Sequence, residues 1–87
     1  MYAVVVRVTI NDVEAAETRL HEVTVPRVSQ LPEAVAGYWT RKDNTGVSMV
    51  IFGTEDAAKR ASEQVPSMVT DAVSLQDVEV REVIAHF

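Results

Sequence analysis

The chain lacks cysteine altogether, and this absence removes several kinds of chemistry at once. Disulfide bonds, thiolate metal ligands and cysteine nucleophiles all need a sulfur atom that no position supplies. The sequence also contains no Ser-His-Asp order, no glycine loop of the kind that cradles phosphate and no dinucleotide fingerprint. Any reaction would therefore depend on the reactivity of a substrate held in a dry pocket.

Long apolar runs are missing as well. No stretch approaches the roughly 18 apolar residues that a membrane-spanning helix needs. Met1 begins a strand-like run that has no basic leader and no small-residue cleavage site. We therefore expect no membrane association and a cytoplasmic location.

Basic residues are few, since 8 Lys and Arg stand against 13 Asp and Glu and give a net charge of −5. Nucleic-acid affinity comes largely from basic side chains that neutralise phosphates. The closest basic pairs, Arg41-Lys42 and Lys59-Arg60, do not form an extended basic surface. We therefore expect no nucleic-acid partner.

Only two histidines are present, His21 and His86, and they are far apart in the sequence. They lack the i, i+4 spacing of a helical metal site, and no cysteine assists them. The sequence therefore predicts no metal site and no cofactor. The plainest interpretation of both is a surface or terminal side chain, and the alternative for His21 is a general base in a pocket.

The chain has 87 residues, which predicts a single domain over residues 1–87. A hydrophobic content of 47% with 24% charged residues is ordinary for a globular protein. A domain this small leaves much of its apolar surface uncovered unless it finds a partner. Oligomerisation is therefore expected.

A hairpin in the middle of the chain is the clearest local feature. Aromatic and β-branched residues predict strands over residues 37–42 and 47–53, and the polar residues 43–46 predict a four-residue loop between them. In the second strand, Val47, Met49 and Ile51 alternate with Ser48, Val50 and Phe52, so neither face is polar. The sheet therefore needs cover on both faces.

The remaining segments divide clearly into strands and helices. They begin with a strand over residues 2–10 and a helix from Asp12 that kinks at Pro26 and persists to about Gln30; the alternative is a second short helix that starts with Pro26 near its first position. A helix capped by Thr54 and closed by Pro66 and a strand over residues 75–86 follow the hairpin. Asn11 and Glu14 have the spacing of a capping box at the first helix. The apolar stripe expected on that helix consists of Val13, Ala16, Leu20 and Val23.

This order of elements, strand-helix-strand-strand-helix-strand, is the split βαβ pattern. It predicts an α+β domain of the ferredoxin-like βαββαβ type, with a four-stranded antiparallel sheet and both helices on one face. The opposite face carries enough apolar side chains to require cover. We therefore expect a homodimer that forms through the sheet face.

The whole chain resembles the dimeric α+β barrel superfamily. The resemblance is carried by the element order, the length, the segment that leads into Gly37-Tyr38-Trp39 and the terminal stretch over residues 78–83. Within the superfamily the chain is similar to the antibiotic-biosynthesis-monooxygenase-like (ABM-like) group, and in particular to small uncharacterised actinobacterial members. The resemblance implies two sheets packed face to face, with one pocket per subunit between the sheet and its own helices.

The superfamily includes cofactor-independent oxygenases that act on aromatic polyketides and enzymes that degrade haem. The haem-degrading branch uses an Asn on the first strand, a Trp, and a His on the second helix. Residues 54–65 contain no His, and Asn11 and Trp39 lie elsewhere, so this set does not carry over. The Pro-Gly-Phe that is frequent in the family is replaced here by Pro32-Glu33-Ala34.

Four residues are candidates for a pocket. His21 is the candidate catalytic base, and Arg7, Tyr38 and Trp39 are the candidates for substrate binding. Arg7 has the alternative of pairing with an acidic residue across the sheet. Tyr38 and Trp39 are neighbours on a strand and point to opposite faces, so only one of them can line a given cavity; core or interface packing is the alternative for both.

These patterns leave three functions open. The first is binding of a small aromatic or apolar molecule between sheet and helices. The second is a cofactor-independent monooxygenase that acts on an aromatic polyketide-like substrate, and the third is a purely structural dimerisation module. Fold does not choose between them. A filled interior favours the module, whereas an apolar cavity of roughly 300 Å³ or more with converging polar groups favours a ligand.

Overall fold

A computed structural model describes residues 1–87 and contains four strands and two helical regions. The strands are β1 (Tyr2–Ile10), β2 (Ala34–Lys42), β3 (Thr45–Phe52) and β4 (Val73–Glu82). The first helical region consists of α1 (Val13–Arg19), a π-helical segment (Leu20–Thr24) and α2 (Val25–Ser29), which follow one another without a break. The second is α3 (Glu55–Met68).

The four strands form one antiparallel sheet in the order β2-β3-β1-β4. The prediction of an α+β domain with such a sheet and two helices is confirmed, and the strand order is consistent with a ferredoxin-like fold. β1 and β3 are the central strands, as expected for strands that are apolar at nearly every position. β2 and β4 form the edges.

The first helix begins at a different cap from the one predicted. Asp12, and not Asn11, is the N-cap, and its Oδ1 accepts a hydrogen bond of 3.1 Å from the backbone N–H of Ala15. The amide of Asn11 instead donates to the carbonyl of Asp71 and to the hydroxyl of Ser74. Asn11 therefore joins the start of the helix to the start of β4, a contact between distant residues that a local capping pattern cannot reveal.

The π-helical segment changes which residues of the first helix face the sheet. A π turn contains one extra residue compared with an α turn, so the residues after it are shifted around the helix axis. Val23, predicted in the apolar stripe, is exposed, whereas Thr24 and Val25 are half-buried and Val28 is buried. The prediction for Val23 was wrong because a continuous α-helix was assumed.

Pro26 explains why the helix widens at this point. Its ring has no N–H and crowds the carbonyl of the preceding turn. The N–H of Val25 bonds to the carbonyl of Leu20, five residues earlier, and Pro26 then lies in the first turn of α2. The prediction that the helix continues past Pro26 is confirmed, and Gln30 is its C-cap.

The central hairpin is confirmed, but its loop is shorter than expected. β2 extends from Ala34, and Lys42 pairs with Thr45, so the loop holds only Asp43 and Asn44. Asp43 has a φ of 52°, and no glycine has a positive φ. The four-residue loop was predicted because Gly46 was assigned to it, whereas Gly46 is a buried residue of β3.

Two further boundaries differ from the predictions. Thr54 caps α3 as expected, accepting from the N–H of Ala57. Pro66 does not close that helix, since it removes only one intrahelical hydrogen bond and the helix continues to Met68. β4 begins earlier and ends earlier than expected, at Val73 and Glu82, because its bounds follow the register with β1, which runs from the Ile10–Val73 pair to the Tyr2–Glu82 pair. One further hydrogen bond, from the N–H of Val83 to the carbonyl of Met1, follows the last pair.

The core lies between the sheet and the helices. α3 packs closely on β1, β3 and β4, and α2 contacts β2. Small side chains at Ala58 and Ala61 allow this approach, and Phe52 is the largest fully buried side chain. The buried cluster consists of Val4, Val28, Val50, Phe52, Ala58 and Ala61.

The sheet face opposite the helices, here called the outer face, has no cover within the chain. The strand register places on it the following residues: Ala3, Val5, Arg7 and Thr9 of β1; Ala36, Tyr38, Thr40 and Lys42 of β2; Thr45, Val47, Met49 and Ile51 of β3; and Asp77, Glu79 and Arg81 of β4. Tyr38, Val47 and Met49 are exposed although they are large and apolar. The outer face therefore combines an apolar patch around Tyr38 and Met49 with charged residues on β1 and β4.

Candidate functional site

A cavity of about 500 Å³ lies between the sheet and the first helix. Nineteen of its 28 lining residues are hydrophobic, so its wall is mainly apolar. One face of β1 forms the floor, with Val4, Val6, Val8 and Ile10 all directed into it. The interior of the domain is therefore not filled by its own side chains.

The space exists because the start of the first helix lies away from the sheet. α2 contacts β2, but α1 and the π-helical segment make no comparable contact with any strand. Their inward residues, including Ala16, Leu20 and Thr24, line the cavity without reaching the opposite wall. Ala61 and Val65 of α3 close it on the side where that helix packs tightly.

Trp39 provides an aromatic wall, and Gly37 determines how its ring is placed. The two residues lie on the same face of β2, and a Cβ added to Gly37 would lie 2.9 Å from Cζ3 and 3.0 Å from Cη2 of the indole. Any larger residue at position 37 would displace the ring. The glycine thus allows the indole to lie flat along the strand at the edge of the cavity.

The charged groups of the cavity wall include an ion pair that links α1 to the hairpin. Arg41 of β2 donates through Nε to Oε1 of Glu17 at 3.3 Å, which links the strand to the helix. His21, an exposed residue of the π-helical segment, also lines the cavity. Arg19 also lines the cavity, and its Nε is buried without a hydrogen-bond partner in the protein.

The predicted site residues are divided between the two faces of the sheet. His21 and Trp39 both line the cavity. Arg7 and Tyr38 lie on the outer face and are exposed, as the alternation of neighbours along a strand requires. Arg7 stands opposite Asp77 in the register, although the two side chains form no ion pair in the structure.

The sequence analysis did not identify the charged residues that line the cavity, namely Glu17, Arg19 and Arg41. The direction of Arg19 relative to the apolar stripe could have been predicted from the helical spacing. It follows Ala16, a residue of the apolar stripe, by three positions, and residues three apart are neighbours on a helix surface. The face of Arg41 could also have been predicted, since it follows Trp39 by two positions on β2 and therefore lies on the same face of the strand. Its contact with Glu17 could not, because it depends on where the first helix lies relative to β2.

Two further features of the structure concern metals and membranes. No cluster of three or more His, Asp or Glu side chains has an arrangement that could hold a metal ion. None of the helices has the length and apolar composition that crossing a bilayer requires.

The chain was also compared with known proteins. No family model matches it, and no curated protein matches it either. The interpretation of the site therefore depends on the geometry of its own residues.

Proposed function

We propose that this protein binds a small aromatic or apolar molecule in the cavity between its sheet and its first helix. The observation that supports this proposal is the cavity itself, which at about 500 Å³ lies within the usual range of roughly 300–1,000 Å³ for small-molecule sites. Its wall is mainly apolar and includes a few polar groups, as is typical of such sites. The same observation weighs against a purely structural module, which would have a filled interior.

We also propose that two copies pair through their outer faces and form a dimeric α+β barrel of the ABM-like kind. This proposal is supported by the exposed Tyr38, Val47 and Met49, which form an apolar surface larger than scattered single residues would make. In this arrangement the helices cover one face of each sheet and the partner covers the other. The cavity lies on the helix side, so each subunit has its own.

Cavity-filling variants test the binding proposal. Thr24 lines the cavity from the π-helical segment, whereas its neighbour Val23 is exposed and does not line it. We expect Thr24→Phe to abolish the binding of hydrophobic aromatic probes such as naphthalene derivatives, and Val23→Phe to leave it unchanged. Isothermal titration calorimetry on the folded variants gives the affinities. Equal affinities for the two variants would refute the proposed location.

A second candidate function is a cofactor-independent oxygenase. The observation that favours it is that His21 and Trp39, one a potential base and the other an aromatic surface for stacking, line the same cavity. Such an enzyme would consume oxygen in the presence of a hydroquinone-like substrate. We expect the rate to fall in His21→Ala and in Trp39→Phe. Tight binding without any oxygen uptake by the unchanged protein would exclude this candidate and leave the first.

A further inference from the structure

Arg19 is in an unusual position for a charged residue. It ends α1, lines the cavity and is half-buried; its Nε is fully buried, yet the side chain takes part in no ion pair and no hydrogen bond. A buried donor of a cation without a partner is costly, because the group loses its hydration and gains nothing in return. A side chain held in this way is well placed to bind a group of opposite charge that enters from the cavity.

No other charged group of the cavity wall is paired with Arg19. Glu17 is the only carboxylate there, and its Oε1 already accepts from Arg41. These two charges offset one another, so Arg19 is the uncompensated charge of the wall. In a chain whose net charge is −5, this makes the cavity locally positive although the whole molecule is negative.

We infer that the ligand of this cavity is an amphipathic carboxylate, with an apolar ring body against β1 and Trp39 and its carboxylate against Arg19. This inference rests on the proposed binding function and adds the chemical class of the ligand. A guanidinium is a planar fork of donors that matches both oxygens of a carboxylate. Arg41, the other guanidinium of the wall, is already paired with Glu17, so the contact with Arg19 determines the orientation of the ligand.

The π-helical segment contributes to this placement. It begins at Leu20, immediately after Arg19, and π turns within α-helices occur frequently at functional sites. The segment lies where the first helix makes no close contact with the sheet. Arg19 therefore lies at the junction between a regular helical turn and the open part of the cavity.

A pair of probes that differ only in charge tests the inference. Naphthoate and naphthamide have nearly the same shape, but only naphthoate carries a negative charge at neutral pH. We expect the unchanged protein to bind naphthoate more tightly than naphthamide. The Arg19→Met substitution should lower the affinity for naphthoate by about 10-fold to 100-fold, the usual effect of losing a hydrogen bond to a charged group. The same substitution should leave the affinity for naphthamide within about 2-fold. Binding is followed by calorimetry and by the fluorescence of Trp39, the single tryptophan.

Arg27 provides the matched control. It lies on the same helix, is exposed and does not line the cavity, so Arg27→Met removes an equal charge elsewhere. We expect Arg27→Met to bind both probes like the unchanged protein, and Arg19→Lys to recover part of the preference for naphthoate. Circular dichroism and thermal unfolding establish that each variant is folded.

The outcomes separate this inference from the proposed function. If the protein binds both probes equally, or if Arg19→Met weakens both equally, the assignment of Arg19 is overturned while a binding cavity remains. An equal loss of naphthoate affinity in Arg19→Met and Arg27→Met would show a general effect of charge and would also overturn it. If the unchanged protein binds neither probe, both proposals are overturned.

Discussion

The pairing of two subunits through the outer face can be tested at Met49. This residue lies on β3, a central strand, and stands between Val5 of β1 and Tyr38 of β2. Met49 keeps 43% of its surface exposed and Tyr38 keeps 65%. We expect Met49→Glu to dissociate the dimer, because the substitution places a carboxylate at the apolar centre of the interface.

The size of the effect follows from the exposed fractions. Full burial of a side chain such as Met is worth about 1.5–3 kcal/mol of free energy. Covering the exposed 43% of Met49 would therefore contribute about 1 kcal/mol per subunit to the free energy of dimerisation. Tyr38 would bury roughly 100–160 Å², or about 2.5–4 kcal/mol at ~25 cal/mol/Å². The Met49→Glu variant would lose the first contribution and add the cost of desolvating a carboxylate, which exceeds it, because the strand row of position 49 holds Val5, Tyr38 and Glu79 and no cation.

Symmetry doubles the penalty. A two-fold interface contains each residue twice, so a loss of about 2 kcal/mol per subunit becomes about 4 kcal/mol per dimer, or about 1,000-fold in the dissociation constant. On β4, Glu79 lies in the same row of the outer face as position 49, but Arg81 donates a hydrogen bond to it and offsets its charge, so Glu79 adds nothing to this estimate. The hydrogen bond from Arg81 to Glu79 raises the pKa of that guanidinium, so the Arg81 side of this pair stays charged.

Sedimentation velocity at micromolar concentrations is the assay. The subunit has a mass of 9.6 kDa, so the monomer and the dimer are readily separated. Gln64→Glu is the matched control, since it adds the same charge on the exposed surface of α3, and we expect it to remain dimeric. A monomeric unchanged protein, or a Met49→Glu variant that dimerises as tightly as the unchanged protein, would refute the reasoning.

Three further predictions concern the stability of the subunit, measured as the free energy of unfolding in urea. Glu33 has a φ of 63°, so Glu33→Gly should be more stable than Glu33→Ala by about 1 kcal/mol, the reverse of the usual order of these two residues. Gly37→Ala should destabilise by about 1–3 kcal/mol and shift the emission of Trp39, because the new methyl group overlaps the indole. Asp12→Ala should cost about 1 kcal/mol through loss of the N-cap hydrogen bond to Ala15, and Asp12→Asn should cost much less.

Each of these predictions has an outcome that contradicts it. Equal stabilities of the two Glu33 variants would show that the left-handed backbone at this position is not strained. An unchanged emission spectrum in Gly37→Ala would mean that the indole does not lie against the strand. For the N-cap, Asn11→Ala is the comparison: if it lowered the helix content more than Asp12→Ala, the cap would be at Asn11 after all.

The sequence predicted the number, type and order of the strands because their apolar residues follow a period of two. The ends of the elements were less predictable, since they depend on what a neighbouring strand offers. β4 ends at Glu82 because this residue forms the last register pair with β1, opposite Tyr2, which no local pattern in β4 can show. Glu33 is a similar case, because its left-handed backbone is held by contacts to Gly53 and Thr54 from another part of the chain.

The candidate site was predictable only for residues whose direction follows from simple alternation. Trp39 and Tyr38 had to face opposite sides of the sheet, and the structure places them so. Arg19 required knowledge of the rotation of the first helix relative to the sheet, which the π-helical segment alters. That segment depends in turn on Pro26, whose effect on a helix can be a kink, a break or a local widening.

The π-helical segment has one more consequence, which concerns chain length. In a regular α-helix each residue turns about 100°, so Val28 would lie about 120° around the axis from Ala16. The one surplus residue between Leu20 and Thr24 reduces this offset to about 20° and aligns the two buried positions. A homologous chain with one residue fewer here would form an unbroken α-helix and would still direct the residues equivalent to Ala16 and Val28 to the same side of the helix. We therefore expect single-residue gaps between related sequences to fall at this turn.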